Sequence, residues 1–373
     1  MTTPMTTLQT RTRLSYLDNL RVVLTALVVL HHAAVTYSHI PLWYYYEAPR
    51  DDSATALDVF LALNQAYFMG FFFLIAGYFT PGALDRKGVG RFARDRLVRL
   101  GIPLLLFVIV VRAVVGIPGW SVSGRSYAEY YVLSWDPGPT WFLEVLLVFS
   151  LVYAVVRRFR PEPAPIAAQP LRGRWIVAFA VGLAVATALW RLVVPNGTYV
   201  PVLGLPTASY LPQYAAMFTV GVLAYRRDWF TELTPRAGRW AWVAAAVAVP
   251  FGLFAYVLDD QVGIAVFEAV FATAVILGLL VLFRERFAGQ WPSFLTANAF
   301  AVYVLHALVI TALGIALSGL EAPAIVKALV LGALGLPLCW AFAAAVRALP
   351  GAKKVLLAEK VLCVSRCGAR RSR

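Results

Sequence analysis

The chain has 373 residues, of which 61% are hydrophobic and 14% charged, against about 25% charged in a soluble globular domain. So few charges cannot cover so much apolar surface in water. A disordered chain would lack the residues this one is rich in, and three cysteines are too few for a disulfide scaffold. The net charge of +14 comes without the basic–aromatic patches of nucleic-acid binders. No nucleic-acid partner is therefore expected, and basic loops on the cytoplasmic face of a membrane account for the charge.

A membrane-crossing helix needs about 20 apolar residues. Runs of that kind predict ten spans, at residues 17–38, 57–80, 98–118, 140–156, 175–194, 209–225, 239–258, 262–283, 294–317 and 323–348. The fourth is short and holds Glu144; the sixth holds Pro212 and is only moderately apolar. Arg11 and Arg13 precede the first span, and Arg86, Lys87, Arg91, Arg94, Arg96 and Arg99 lie between the second and third. Every second connection afterwards is basic too, while the alternate loops carry Asp51, Asp52, Asp259, Asp260 and Glu321. By the positive-inside rule both termini are cytoplasmic. The expected fold is all-α, a polytopic membrane helical bundle of about ten transmembrane helices. A cytoplasmic segment, 1–16, precedes the membrane domain, 17–348, and a basic cytoplasmic tail, 349–373, follows it. The first apolar run ends in HHAAVTYSH with no cleavage site, so it reads as a retained span of a multi-pass inner or plasma membrane protein. PEPAPIAAQP is a Pro/Ala linker.

Ionisable groups inside spans are costly and mark function. In the first span Asp18, Arg21, Thr25, His32 and Thr36 share one helix face at about 100° per residue, and His31 points about 100° away. Arg21 and His32 are separated by about 16 Å of helix rise. Glu144, Glu268 and His306 lie at a depth similar to His32. Together they predict a buried acid–base cluster, in which a carboxylate orients an imidazole and raises its basicity. The same groups would suit proton relay in a transporter or flippase, the alternative reading. Arg112, Arg191 and Lys327 lie near span ends, where long side chains snorkel. The basic loop DRKGVGRFARDRLVRLGIPLL ends in Arg96 and Arg99, neighbouring helix positions able to clamp a phosphate; lipid headgroups are the other ligand for such a loop. No metal is expected: Cys363 and Cys367 cannot close a zinc site without further ligands.

These segments resemble acyltransferase family 3, the integral-membrane acyltransferases. YLDNLRVVLTALVVLHH is similar to the family's opening helix, with its Asp-x-x-Arg pattern and a later histidine on Asp18, Arg21 and His32. FMGFFFLIAGYFT resembles the second helix, and RLVRLGIPLL the Arg-x-x-Arg motif at Arg96 and Arg99. GPTWFLEVLLVFS resembles the Trp-Phe-Leu segment, and FAVYVLHALV the Tyr-x-x-His helix near the end. WFLE and RALPGAKKVL look most like the branch that includes periplasmic glucan succinyltransferases. The resemblance implies O-acyl transfer from cytoplasmic acyl-CoA, as acetyl-CoA or succinyl-CoA, to a hydroxyl of a sugar or envelope glycan at or beyond the outer face. It implies His32 as general base or transient acyl carrier, with Glu144 or Glu268 orienting it and His306 nearby. Arg21, Arg96 and Arg99 would hold the donor. Some relatives carry a fused extracellular hydrolase-like domain; none is expected here, so a second step would call for a separate periplasmic or extracellular partner.

Overall fold

The computed structural model describes residues 14–160, 171–201 and 203–356. The N-terminal arginines, the PEPAPIAAQP linker and the distal basic tail with Cys363 and Cys367 lie outside the described residues. In chain order the helices are α1 (Ser15–Val35), α2 (Ala54–Gln65), α3 (Phe68–Lys87), α4 (Val89–Arg96), α5 (Ile102–Leu106), α6 (Arg112–Val115), α7 (Ile117–Ser121), α8 (Tyr127–Leu133) and α9 (Trp141–Phe159). They continue as α10 (Gly173–Arg191), α11 (Leu211–Arg227), α12 (Trp229–Glu232), α13 (Pro235–Val257), α14 (Gln261–Arg286), α15 (Ser293–Ala316), α16 (Ala324–Ala348) and α17 (Ala352–Val355). Among the described residues nine segments are long and apolar enough to cross a membrane. The sixth expected span forms α11, whose 17 residues make it the shortest of the long helices. The all-α polytopic bundle is thus what the chain builds.

Helix α1 lies inside the bundle against α15 and α16, while α13 packs on α14, α10 on α14 and α11 on α3. Leu105, Ile109, Val177, Val181, Val247 and Leu329 are exposed, an apolar exterior that only lipid can solvate. The α3–α11 crossing is close enough to need glycine on both helices. A Cβ on Gly77 would collide with the Phe218 carbonyl, and one on Gly221 with the Leu74 carbonyl. Small residues of this kind let membrane helices approach backbone to backbone.

The second expected span is not one helix. It breaks between α2 and α3 at Ala66 and Tyr67. The buried Gln213 of α11 donates to the Ala66 carbonyl at 2.7 Å, so a backbone group freed by the break is satisfied inside the bundle. Third-span residues start earlier than expected, at Val89. Two π-helical turns, Leu97–Gly101 and Phe107–Val111, rephase the segment around the second arginine of Arg96-x-x-Arg99; such turns concentrate at functional positions.

Snorkelling does not describe Arg112, Arg191 and Lys327, each of which is buried. Arg112 pairs with Asp136 at 3.3 Å and donates to the Tyr131 carbonyl at 2.8 Å. Lys327 pairs with Glu47 at 2.6 Å, and Arg191 with Glu268 at 2.5 Å. Opposite charge was close enough to hold them inside, and burial of a paired charge costs far less than burial of a lone one.

Candidate active site

His32 sits one turn before the end of α1, and His306 is fully buried in the middle of α15. The two rings meet, with His306 Nε2 3.1 Å from His32 Nδ1 and ring centres 4.9 Å apart. Their hydrogen bonds fix the tautomers. The Val28 carbonyl, 2.9 Å from His32 Nδ1, can only accept. The Tyr303 carbonyl, 2.8 Å from His306 Nδ1, can likewise only accept. Both Nδ1 atoms therefore carry hydrogen when the rings are neutral. His306 Nε2 then has a lone pair and accepts from His32 Nδ1–H, which it shares with Val28. What is left is the lone pair on His32 Nε2, on a half-buried ring, and that is the form a general base requires.

Neighbouring elements hold this pair in place. The Tyr303 hydroxyl donates to the Pro139 carbonyl, tying α15 to the turn that starts α9. Trp43, from the loop after α1, stacks on His32 with ring centres 4.0 Å apart and lies 5.9 Å from His306. The next residue anchors that loop: Tyr44 donates to Asp136 at 2.8 Å. Burial and the Asp136 carboxylate push the Tyr44 phenol well above its usual 10, so it stays a donor. His31 faces elsewhere, as its phase on α1 requires. It stacks on Phe68 and accepts from Asn64 at 3.2 Å, beside the α2–α3 break.

The carboxylate expected beside His32 is not there among the described residues. Glu268 is fully buried and accepts from Arg191, from Tyr210 at 2.6 Å and from Tyr256 at 3.1 Å. Those three bonds brace α10, α13, α14 and the turn before α11. Glu144 is half-buried in the first turn of α9, where the helix dipole favours a carboxylate, and has no hydrogen-bond or ion-pair partner among the described residues. The structure thus joins His32 to His306 and keeps both carboxylates apart from that dyad.

The cations expected to hold the donor lie on two elements, Arg21 near the start of α1 and Arg96 and Arg99 at the end of α4 and in the π-helical turn after it. Arg21 pairs with Asp18 at 3.3 Å and lies over the Phe79 ring of α3. Arg96 is buried with its guanidinium over the Phe92 ring, 5.0 Å from its centre. Arg99 is part-exposed, and its Nε donates to Asp95 at 2.7 Å; Lys87 reaches the other oxygen of Asp95 at 2.7 Å. Sequence reasoning missed Trp43 and the Arg112–Asp136–Tyr44 brace. The aromatic run WYYYE directly after α1 was the available signal, but it reads equally as an interfacial belt.

Fold and site define a multi-pass membrane protein with a histidine dyad inside the bundle. Residues 14–344 match the family 3 acyltransferase domain, and the chain belongs to that family of membrane acyltransferases. Glucans biosynthesis protein C of Salmonella schwarzengrund (strain CVM19633) is 24% identical over 272 residues, covering 66% of this chain and 66% of the relative. The protein of that name from Salmonella heidelberg (strain SL476) matches to the same extent. The chain therefore spans 66% of the length of these relatives, just under two thirds.

Proposed function

We propose that the protein moves an acyl group from cytoplasmic acyl-CoA, as acetyl-CoA or succinyl-CoA, to a hydroxyl of a cell-envelope glycan at the outer face, with His32 as the general base. The observation that carries the reading is the His32–His306 pair. Its hydrogen bonds leave a lone pair on His32 Nε2, suited to taking the proton of an attacking hydroxyl. His306 takes the orienting part that a carboxylate plays in hydrolytic triads. A glycan acceptor is supported by the name of the Salmonella relatives, and the donor side by Arg21, Arg96 and Arg99. Guanidinium groups suit the phosphates of CoA, and the basic loop is cytoplasmic by the positive-inside rule.

The test uses inverted membrane vesicles holding the protein, with a glucose oligosaccharide trapped inside. Radiolabelled succinyl-CoA or acetyl-CoA is added outside, on the face that was cytoplasmic. Label in the oligosaccharide, released by mild alkali as an ester would be, is the expected result. Proton movement without any acyl transfer would overturn the reading in favour of a transporter.

A further inference from the structure

Two open valences remain at the His32–His306–Trp43 cluster once the internal hydrogen bonds are counted. One is the acceptor lone pair on His32 Nε2. The other is a donor: Trp43 Nε1 is buried and has no hydrogen-bond partner among the described residues. A buried N–H without a partner is uncommon and calls for a physical account. Here it sits on a ring stacked 4.0 Å from the imidazole at an interplanar angle of 29°, so the ring with the open donor is in face-to-face contact with the ring that carries the lone pair. Acyl transfer to a hydroxyl needs this complement: an acceptor for the hydroxyl proton and a donor for the oxygen on which negative charge develops.

We propose that Trp43 is the oxyanion donor of this site, its indole N–H binding the carbonyl oxygen of the acyl group as the tetrahedral intermediate forms. The assignment rests on the acyltransferase reading with His32 as base. The acceptor hydroxyl attacks the thioester carbonyl carbon. A C–O bond forms, the carbonyl π pair moves onto oxygen, and the hydroxyl proton passes to His32 Nε2. Trp43 N–H holds the resulting oxyanion. Collapse breaks the C–S bond, and the proton on Nε2 goes to the departing CoA thiolate. The products are the ester and free CoA thiol, with His32 neutral again.

Preorganisation gives such a donor its effect, and the loop is built for it. Tyr44 is fastened to Asp136 on one side of Trp43. On the other, the Glu47 N–H donates to the Thr36 carbonyl at 3.0 Å, and the Glu47 carboxylate holds Lys327. The loop that carries the indole is thus fastened on both sides of Trp43.

Trp43→Phe keeps an aromatic face against His32 and removes the donor together with part of the ring. In the vesicle assay its kcat should fall about 10²–10³-fold, with KM for succinyl-CoA and for the oligosaccharide changed less than about threefold. Benzothienylalanine incorporated at position 43 has the indole shape with sulfur in place of N–H, and should give the same loss. That second variant decides the matter if Trp43→Phe is not monodisperse in detergent. Wild-type kcat in either folded variant would overturn the proposal, as would a loss carried by KM alone. Failure of the underlying reading is distinguishable, because the wild-type protein itself would then transfer no label.

Discussion

His306 Nε2 lies 3.1 Å from His32 Nδ1, so a second imidazole, on a helix far along the chain, holds the ring of the first. An imidazole acceptor adds no negative charge beside the base, unlike a carboxylate, and it stays compatible with a membrane interior. His32→Gln keeps polarity and approximate size but cannot take a proton near neutral pH. It should lower acyl transfer by about 10²–10⁴-fold without affecting insertion. His306→Gln keeps an acceptor for His32 Nδ1–H and should retain most activity. His306→Leu should cost about tenfold or more, the worth of one buried hydrogen bond. His31→Gln should be nearly silent. Steady-state transfer rates of the purified variants check all four, and full activity in His32→Gln would remove His32 from the chemistry.

Glu268 is a brace on this geometry. Removing one partner of a buried ion pair costs about 3–5 kcal/mol, because the other charge is stranded. Glu268→Ala should therefore unfold at much lower temperature in detergent, while its folded fraction keeps near-normal kcat. A fully folded Glu268→Gln with kcat lost would instead put Glu268 in the chemistry.

Much of this was legible in the sequence, and the reason is periodicity. The phase of α1 separates His32 from His31 by about 100°, and the two rings do reach different partners. Apolar run length placed the helices, including the His306 helix. Periodicity gives face and depth but not which helices meet. Four polar groups at similar depth could be grouped several ways, and the structure sends Glu268 to Arg191 and His306 to His32. The break at Ala66 is satisfied by a hydrogen bond from Gln213, distant in sequence, and a continuous apolar run conceals such a partner. Trp43 lies in a loop, where no period operates.

Orientation is tested by labelling. With both termini cytoplasmic, a cysteine at Arg91 should resist an impermeant maleimide in intact cells, and one at Asp259 should react. The reverse pattern would invert the assignment of donor and acceptor faces.

The arginine pair gives the last prediction. Arg96 is buried over Phe92, whereas Arg99 is part-exposed and shares Asp95 with Lys87. If the loop binds CoA, its phosphates must compete with Asp95 for Arg99. Arg99→Ala should weaken CoA binding by about 1.5–3 kcal/mol, or roughly one to two decades. Arg99→Lys should restore only part, because an ammonium cannot present the guanidinium fork. Asp95→Asn should act in the opposite direction, releasing Arg99 and Lys87 and tightening CoA, most visibly at low ionic strength where exposed charges are least screened. Arg96→Ala should weaken CoA and also lower thermal stability, since its guanidinium is packed within the bundle. Equilibrium binding of radiolabelled CoA to the detergent-purified variants reads each effect. Opposite signs for Arg99→Ala and Asp95→Asn are the signature of a phosphate site. CoA affinity unchanged in the Arg96→Ala/Arg99→Ala double variant would assign the loop to lipid headgroups instead.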